Sequence, residues 1–298
     1  MAEYTLAELI AVTGGVLLQN GTQPVFTGVS TDSRQVQPGE LFIALKGEHF
    51  NGHDFLRKAA SRGATALIIM DELPIPAGPF VIKVSDTLKA LGDLARFHRR
   101  RFGVPVIGIT GSNGKTTTKD LLASILQQEF SLVKTEANFN NEIGLPLTLF
   151  KMNRQTQAVV VEMGMRGLGQ ISNLAGIAEP NFGIVTNVGL THLELLGSQH
   201  NIARAKAELV QSLPENGLAI LNGDDPLVRE MASVTNARVV LYGIEGSDLH
   251  YRAGEIEMNE SGSQFTVFFQ NTCLKLALPI PGRHNILNAL GAIAVAKE

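Results

Sequence analysis

The fold of this chain is decided by residues 106–117, which read Val106-Ile107-Gly108-Ile109-Thr110-Gly111-Ser112-Asn113-Gly114-Lys115-Thr116-Thr117. An apolar, β-branched segment is followed here by a glycine turn and then by residues that can begin a helix. Such a turn points backbone N–H groups and the positive end of the helix toward phosphate oxygens. The stretch therefore predicts a strand, a phosphate-binding turn and a helix within an α/β domain.

The turn departs from the common phosphate-loop pattern G-x-x-x-x-G-K-[ST], because Ile109 stands where the first glycine is expected. In the usual geometry of these loops, Lys115 reaches the β and γ phosphates and the Thr116 hydroxyl binds Mg²⁺. The alternative is a glycine turn before a helix with an incidental lysine. The preceding strand and the run at 114–117 favour the binding of nucleotide phosphates.

Four apolar segments after the loop have the length and composition of buried parallel strands. They are residues 158–162, 183–186, 218–221 and 239–242. Because helical segments lie between them, these strands predict a doubly wound α/β sheet, as in P-loop ATPases. From 249 to 278 the pattern becomes period-two, which predicts an antiparallel extension with a turn at 260–263. A helix is then expected from Asn285.

The residues before position 103 predict a separate, smaller α/β domain. A helical pattern at 5–13 ends at Gly14, and strands are expected at 25–29, 41–45, 66–70 and 80–84. Helices are expected at 54–62 and 87–101. A chain of 298 residues fits two domains of about 150 residues each. We therefore predict domains at 1–103 and 104–298.

Composition excludes several classes of protein. Apolar residues make up 44% of the chain and charged residues 18%, which predicts folded cores rather than disorder. A net charge of −3 gives no field that would attract nucleic acid or an anionic membrane. The single cysteine, Cys273, is expected to be a reduced core or sheet residue. The basic run at 98–101 is expected to be a solvated helix end.

Three residues outside the loop are candidates for the same site. Glu162 and His192 each follow a predicted strand, at the sheet edge where open α/β folds bind ligands, and could complete an Mg²⁺ site. Singly, such a glutamate can be a capping or ion-pair residue and such a histidine a loop residue. Their joint placement after the phosphate loop favours a role for both as metal ligands. Lys206 by itself is typical of an exposed lysine on a helix.

The chain resembles the Mur ligase family at five motifs. These are Gly111-Ser112-Asn113-Gly114-Lys115-Thr116-Thr117-Thr118, Glu162-Met163-Gly164, Thr191-His192-Leu193-Glu194, Ala205-Lys206-Ala207-Glu208 and Gly282-Arg283-His284-Asn285-Ile286-Leu287-Asn288-Ala289. The family's phosphate loop also lacks the first glycine. The resemblance covers essentially the whole chain, but the family's third domain has no counterpart. Since the chain stops inside a helix at Glu298, we expect an incomplete form with little ligation activity of its own.

The resemblance implies ATP and Mg²⁺ as cofactors. It implies that ATP is bound by Gly111, Ser112, Asn113, Gly114, Lys115, Thr116 and Thr117, with Asn285 and Asn288 near adenine. It implies Mg²⁺ ligation by Thr116, Glu162 and His192, and catalytic roles for Lys115, His192 and Lys206. Lys206 would be a further metal ligand as a carbamate made with CO₂, which requires the neutral amine and therefore a lowered pKa.

The first domain resembles the UDP-sugar-binding domain of family members that extend the muramoyl peptide. The residues implied as contacts to the UDP-muramoyl substrate are Ser30, Asp32, Ser33, Arg34, Asn138 and Asn141. The segment 138–146 is similar to members that add a dipeptide. We therefore expect ATP-dependent ligation of D-alanyl-D-alanine to UDP-N-acetylmuramoyl-tripeptide through an acyl phosphate, in peptidoglycan precursor synthesis.

Other functions remain open at this stage. The nearest alternative is the family member that adds the third amino acid, and folylpolyglutamate ligases are more distant. A non-catalytic module that binds nucleotide and UDP-sugar is an alternative of another class. We expect small-molecule partners, no nucleic acid, no membrane span and a cytoplasmic location. We also expect a monomer.

Overall fold

The computed structural model describes residues 3–23, 25–48 and 50–298. The strands in these residues are β1 (Tyr4–Thr5), β2 (Val16–Gln19), β3 (Val25–Phe26), β4 (Val29–Ser30), β5 (Leu41–Ile43), β6 (Ala66–Ile69), β7 (Phe80–Lys83), β8 (Val106–Thr110), β9 (Leu132–Lys134), β10 (Ala158–Glu162), β11 (Phe182–Val185), β12 (Leu218–Asn222), β13 (Arg238–Gly243), β14 (Tyr251–Asn259), β15 (Gly262–Phe269) and β16 (Thr272–Leu278).

The α-helices of the described residues are α1 (Leu6–Thr13), α2 (Leu56–Ser61), α3 (Thr87–Arg100), α4 (Lys115–Leu126), α5 (Gly144–Leu149), α6 (Gln170–Ala178), α7 (Leu193–Leu196), α8 (Gln199–Gln211), α9 (Pro226–Arg229) and α10 (Arg283–Lys297). Two 3₁₀ turns lie at Gly52–Phe55 and Glu230–Val234. Within the described part of the chain, no helix combines the length and the apolar character that a membrane crossing requires.

The chain forms two compact units, and one segment lies in a different unit from the one that the sequence predicts. The first unit contains residues 1–103 and Glu142–Gln155, and the second contains Val104–Asn141 and Thr156–Glu298. The expectation that Glu142–Gln155 belongs to the second domain is therefore wrong. Helix α5 packs on α3, and His98 Nε2 donates to the Met152 carbonyl at 3.1 Å, so this segment completes the first core.

The first unit is built on a five-stranded sheet in the order β2-β7-β6-β5-β4, which is parallel except for β2. Helix α1 begins in a capping box formed by Thr5 and Glu8 and ends at Gly14, which has φ 63°. The single strand predicted at 25–29 is wrong. Two short strands occupy this stretch, because β3 pairs with β1 whereas β4 pairs with β5. Between them, the Thr27 N–H donates to Gly39 O.

The basic end of α3 is the solvated helix end that the sequence predicts at only two of its four residues, Arg100 and Arg101. His98 is completely buried, and Arg99 is only 9% exposed. Burial lowers the pKa of the His98 imidazole to about 4, so the ring is neutral at pH 7. Arg101 stacks over the Tyr4 ring and forms an ion pair with Glu8. The first half of the run thus belongs to the core of the first unit, whereas Arg100 and Arg101 are exposed.

The second unit contains a nine-stranded sheet in the order β16-β15-β14-β13-β12-β11-β8-β10-β9. Its strands are parallel from β9 to β14, and β15 and β16 are antiparallel. Helices α4 and α10 pack together on one side, and α6 and α8 pack together on the other. This confirms the predicted doubly wound sheet with its antiparallel extension. Cys273 lies in β16 and is exposed, so it is a sheet residue but not a core residue.

Strand β8 lies where the strand order reverses, between β10 and β11. The register pairs Glu162 with Ile109 on one side and Val185 with Thr110 on the other. The carboxyl ends of the three strands are therefore level with one another. In open α/β sheets this reversal opens a crevice for ligands, so the loops after β8, β10 and β11 define the candidate site.

The packing of α10 on the sheet generates the first prediction. Leu290 is completely buried in the core of the second unit, whereas Leu274 on β16 is 42% exposed. Leu290→Ala should lower the free energy of unfolding by about 2–5 kcal/mol, because it removes buried methyl groups and leaves a cavity. Leu274→Ala should change it by less than about 0.5 kcal/mol. Urea denaturation measures both; equal losses would contradict the described packing.

Candidate nucleotide and metal site

The phosphate loop connects β8 to α4 and depends on two glycines. Gly111 has φ 150° and Gly114 has φ 83°, conformations that residues with side chains rarely adopt. A Cβ at Gly111 would lie 1.9 Å from Thr186 Oγ1, and a Cβ at Gly114 would lie 2.3 Å from Asn288 Oδ1. The loop therefore packs too closely on its neighbours for any side chain at these positions.

Asn187, at the end of β11, holds the phosphate loop in this shape. Its Oδ1 accepts from Asn113 N at 3.0 Å, and its Nδ2 donates to Asn113 O at 2.9 Å. Its own carbonyl accepts from Ser112 N at 2.9 Å. The Thr186 hydroxyl also donates to Asn113 O, at 2.6 Å. Asn187 was not among the predicted site residues, although its position directly after a strand was a usable signal.

The loop after β11 is anchored at two further points before it reaches His192. Gly189 N donates to Ser112 Oγ at 2.8 Å, and Val188 N donates to Asp225 Oδ2 at 2.8 Å. Asp225 also caps α9. His192 is exposed at the N-cap of α7 with φ 64°. Among the described hydrogen bonds, none joins His192 to Thr116 or Glu162, so its role as a metal ligand stays a prediction.

Lys115 places its ammonium group over the phosphate loop. Its Nζ donates to Gly111 O at 2.7 Å and to Ser112 O at 3.3 Å. Burial lowers the pKa of Lys115, and the negative charge of Glu162 acts in the opposite direction. Lys115 also begins α4, whose first N–H groups have no partner within the helix. A cation and a helix N-terminus at the same loop favour a phosphate group.

Glu162, at the end of β10, is 3% exposed and forms hydrogen bonds through both carboxylate oxygens. Thr116 Oγ1 donates to Oε2 at 2.9 Å, and Asn140 Nδ2 donates to Oε1 at 2.9 Å. The Glu162 backbone N–H donates to Thr135 Oγ1 at 2.9 Å. A carboxylate beside a hydroxyl is the oxygen-rich chemistry that suits Mg²⁺. Asn140, unlike Asn138 and Asn141, was not among the predicted site residues.

Lys206 is buried on α8, with 2% of its surface exposed. The interpretation of this residue as an exposed helix lysine is therefore wrong. Burial, and then the positive charge of Lys115, lower the pKa of Lys206 to about 7. A large fraction of this amine is consequently neutral at pH 7 to 8. In the described part of the chain, no three His, Cys, Asp or Glu side chains are grouped to hold a metal ion.

The remaining predicted residues fall into two groups. In the second unit, Asn288 is 5% exposed and lies against Gly114, and its Nδ2 is 3.5 Å from Asn285 Oδ1. In the first unit, the segment 30–34 forms one turn, in which Arg34 Nη2 donates to Asp32 Oδ2 at 2.8 Å. The hydrogen bond from Arg34 lowers the pKa of the Asp32 carboxyl. Ser30 Oγ donates to Asp32 O, and Ser33 is buried.

A doubly wound parallel sheet with a glycine loop, a loop lysine and a helix N-terminus at its strand-order reversal defines a nucleotide-binding α/β protein. The Mur ligase middle domain matches residues 109–296, and the Mur ligase family catalytic domain matches residues 25–99. The chain belongs to the Mur ligase family.

Relatives within this family share both sequence and structure with the chain. UDP-N-acetylmuramoyl-tripeptide--D-alanyl-D-alanine ligase of Bacillus subtilis (strain 168) is 42% identical over 91% of this chain and 58% of the relative. MurF from Acinetobacter baumannii superposes with TM-score 0.93 and 31% identity, covering 100% of this chain and 65% of that one. MurF ligase from Thermotoga maritima, solved in complex with ADP, gives TM-score 0.83 and 29% identity over 91% and 62%. The chain thus spans 58% to 65% of these proteins.

The close approach of the loop to Thr186 generates the second prediction. Gly111→Ala should weaken ADP binding at least about tenfold, because the added Cβ would displace the loop that Asn187 and Thr186 hold. Gly176→Ala is the matched control, since a Cβ there meets nothing within 4 Å on α6. Calorimetric titration with ADP measures both variants. Unchanged affinity in Gly111→Ala would contradict the role of this loop.

Proposed function

We propose that this chain acts in the ATP-dependent ligation of D-alanyl-D-alanine to UDP-N-acetylmuramoyl-tripeptide, a cytoplasmic step of peptidoglycan precursor synthesis. The observation that carries this proposal is the pairing of Lys115, over the phosphate loop, with the buried Glu162 hydrogen-bonded to Thr116. The Bacillus subtilis relative, 42% identical, has this substrate pair in its name. The proposed partners are small molecules, and the first unit is the proposed UDP-muramoyl-binding domain.

The residues proposed to bind ATP lie around the phosphate loop. The backbone of residues 111–117 would hold the phosphates, because this segment combines close glycine turns with the N-terminus of α4. Asn285 and Asn288 would contact adenine, and the contact of Asn288 with Gly114 is consistent with this role. Ser30, Asp32, Ser33, Arg34, Asn138 and Asn141 remain the proposed contacts to the acceptor.

Mg²⁺ fits the oxygen donors beside the loop. The Thr116 hydroxyl and the Glu162 carboxylate would hold it, with His192 as a further proposed ligand from the loop that Ser112 anchors. When bound, Mg²⁺ neutralises phosphate charge and orients the transferred group. Magnesium sites in nucleotide enzymes use one or two carboxylates together with substrate phosphates, so a single buried glutamate is sufficient.

The proposed chemistry has two steps. A terminal carboxylate oxygen of the tripeptide attacks the γ phosphorus of ATP, the bond to the β-phosphate oxygen breaks, and an acyl phosphate and ADP result. The amine of D-alanyl-D-alanine then attacks the acyl carbon, phosphate leaves, and the amine proton is released. Positioning and charge neutralisation dominate such transfers. The Lys115 ammonium stabilises charge on the transferred phosphoryl group.

Lys206 is proposed to carry a carbamate. Its neutral amine would attack the carbon of CO₂, forming an N–C bond and releasing one proton. The product is an anion, which explains how a buried lysine can lie near Lys115 without lasting repulsion between two cations. The burial of Lys206 and its lowered pKa support the proposal, because carbamate formation requires the unprotonated amine.

The pKa of Lys206 predicts how stability depends on pH. Its folded-state pKa, about 7, lies below the ordinary value of 10.5, so between these pH values the unfolded chain binds more protons and stability rises with pH. In CO₂-free buffer, Lys206→Met should therefore be more stable than the wild type at pH 7, by at most about 5 kcal/mol. The difference should narrow toward pH 10.

Bicarbonate and a surface variant provide the controls for this prediction. Adding bicarbonate at pH 8 should stabilise the wild type but not Lys206→Met, because only the lysine can form the carbamate. Lys46→Met removes a lysine whose side chain is 53% exposed and should show neither effect. Denaturant unfolding measures all three proteins. A pH-independent difference between wild type and Lys206→Met would contradict the lowered pKa.

Calorimetric titration tests the proposed function. The chain should bind UDP-N-acetylmuramoyl-tripeptide more tightly than the dipeptide form, and Mg²⁺-ATP in a separate experiment. Lys115→Ala should weaken ATP binding while leaving tripeptide binding unchanged, because its ammonium lies over the phosphate loop. Equal affinity for the two acceptors would contradict the tripeptide assignment. Binding of neither would contradict the muramoyl assignment.

A further inference from the structure

Lys119 is a buried cation that the proposed chemistry does not use. It lies on α4 one turn after Thr116, with only 3% of its surface exposed. Its Nζ donates to Thr135 O at 3.0 Å and is 3.5 Å from Asp120 Oδ1. Burying an ammonium group is unfavourable, and replacing buried charges by apolar residues often stabilises a protein. Stability alone therefore does not account for a lysine at this position.

The contact made by Lys119 leads directly to Glu162. Thr135 is completely buried, and its backbone N–H donates to Val160 O at 3.0 Å. The Thr135 hydroxyl accepts from the Glu162 backbone N–H at 2.9 Å. One residue thus receives Lys119 on its carbonyl and Glu162 on its hydroxyl. Thr116 contacts the end of β10 at the Glu162 carboxylate. Lys119, three residues later on α4, contacts the Glu162 backbone indirectly, through Thr135.

The same anchor fixes the start of the segment 135–141. Asn140 in this segment donates to Glu162 Oε1 at 2.9 Å, and its carbonyl accepts from Gly164 N at 2.8 Å. The position of the Glu162 backbone and the position of the Asn140 amide therefore both depend on where Thr135 lies. Displacement of the Thr135 carbonyl would move the Glu162 backbone and the Asn140 amide together.

We propose that Lys119 is a positioning residue, which through the Thr135 carbonyl holds the Glu162 carboxylate in the orientation that receives Mg²⁺. The inference rests on the proposed function, in which Glu162 holds the metal that accompanies ATP. Groups that orient a metal ligand set the affinity for the metal, and their loss typically costs about 10- to 100-fold. Lys119 acts on the metal without touching it.

Calorimetry on the intact chain measures how ADP binding depends on the Mg²⁺ concentration. In Lys119→Met, the Mg²⁺ concentration that gives half of the maximal gain in ADP affinity should rise about 10- to 100-fold. ADP affinity in EDTA should be unchanged, because the phosphate loop is intact. A general loss of structure would instead weaken ADP binding under both conditions.

Two further variants test whether the effect of Lys119 reaches Glu162 through Thr135 or through Asp120. Thr135→Val removes the hydroxyl that accepts from Glu162 and should raise the same Mg²⁺ midpoint, and the double variant should be no worse than Lys119→Met alone. Thr135→Val also carries the test if circular dichroism shows Lys119→Met to be unfolded. Lys134→Met is the control, since Lys134 pairs with the same Asp120 from a more exposed position and should leave the midpoint unchanged.

The outcomes distinguish this inference from the proposed function. Superimposable Mg²⁺ curves for the wild type and the folded variants would overturn the role of Lys119. An equal shift in Lys134→Met would overturn it too, because the effect would then run through Asp120 rather than Thr135. If the wild-type chain bound ADP with no dependence on Mg²⁺, the proposed function itself would be contradicted.

Discussion

The hydrogen bonds between Asn187 and the Asn113 peptide are the constraint on which the second unit's site depends. A side-chain amide satisfies both the N–H and the C=O of one loop residue, as a neighbouring strand would. Because Asn187, together with the Thr186 hydroxyl, holds Asn113 in place, the loop keeps the shape that presents the first N–H groups of α4. Gly111 and Gly114 permit this shape, but Asn187 selects it.

Charge balance around the loop follows from this arrangement. The half-buried Lys115 lies on α4 and the buried Lys206 on α8, whereas Glu162 is the buried carboxylate of the described site residues. Such an excess of positive charge is unfavourable in a low-dielectric interior and favours bound anions. Lys206 relieves part of the excess through its lowered pKa. The phosphates of the proposed nucleotide would offset the positive charge of Lys115.

The sequence predicted the strands of the second sheet well, because buried parallel strands are continuous apolar runs with clear ends. Strand β10 was predicted at its observed bounds. Strand β9 was missed because it has three residues, one of them a lysine. Periodicity also could not reveal that α5 packs on α3, since packing across a long sequence separation leaves no local pattern.

The candidate site was predicted in part, for a related reason. Lys115, Thr116 and Glu162 lie together as expected, since their positions follow from a motif and from strand ends. The burial of Lys206 could not be predicted, because helical spacing does not say what covers a helix face. Asn187 and Lys119 act through hydrogen bonds to backbone groups and Asn140 through one to the Glu162 carboxylate, and no residue spacing encodes such contacts. His192 follows β11 as expected, and its role as a metal ligand stays a prediction.

The segment Glu142–Gln155 belongs to the first unit, and this affects the order in which the two units can fold during synthesis. The polypeptide passes between the units at residues 103, 141 and 155, so the first unit is not continuous in sequence. Domains generally fold in order as they leave the ribosome. Here the first core lacks α5 and the Met152 carbonyl until β8, α4 and β9 have already emerged. Its completion must therefore wait for part of the second unit, which couples the two folding events in time.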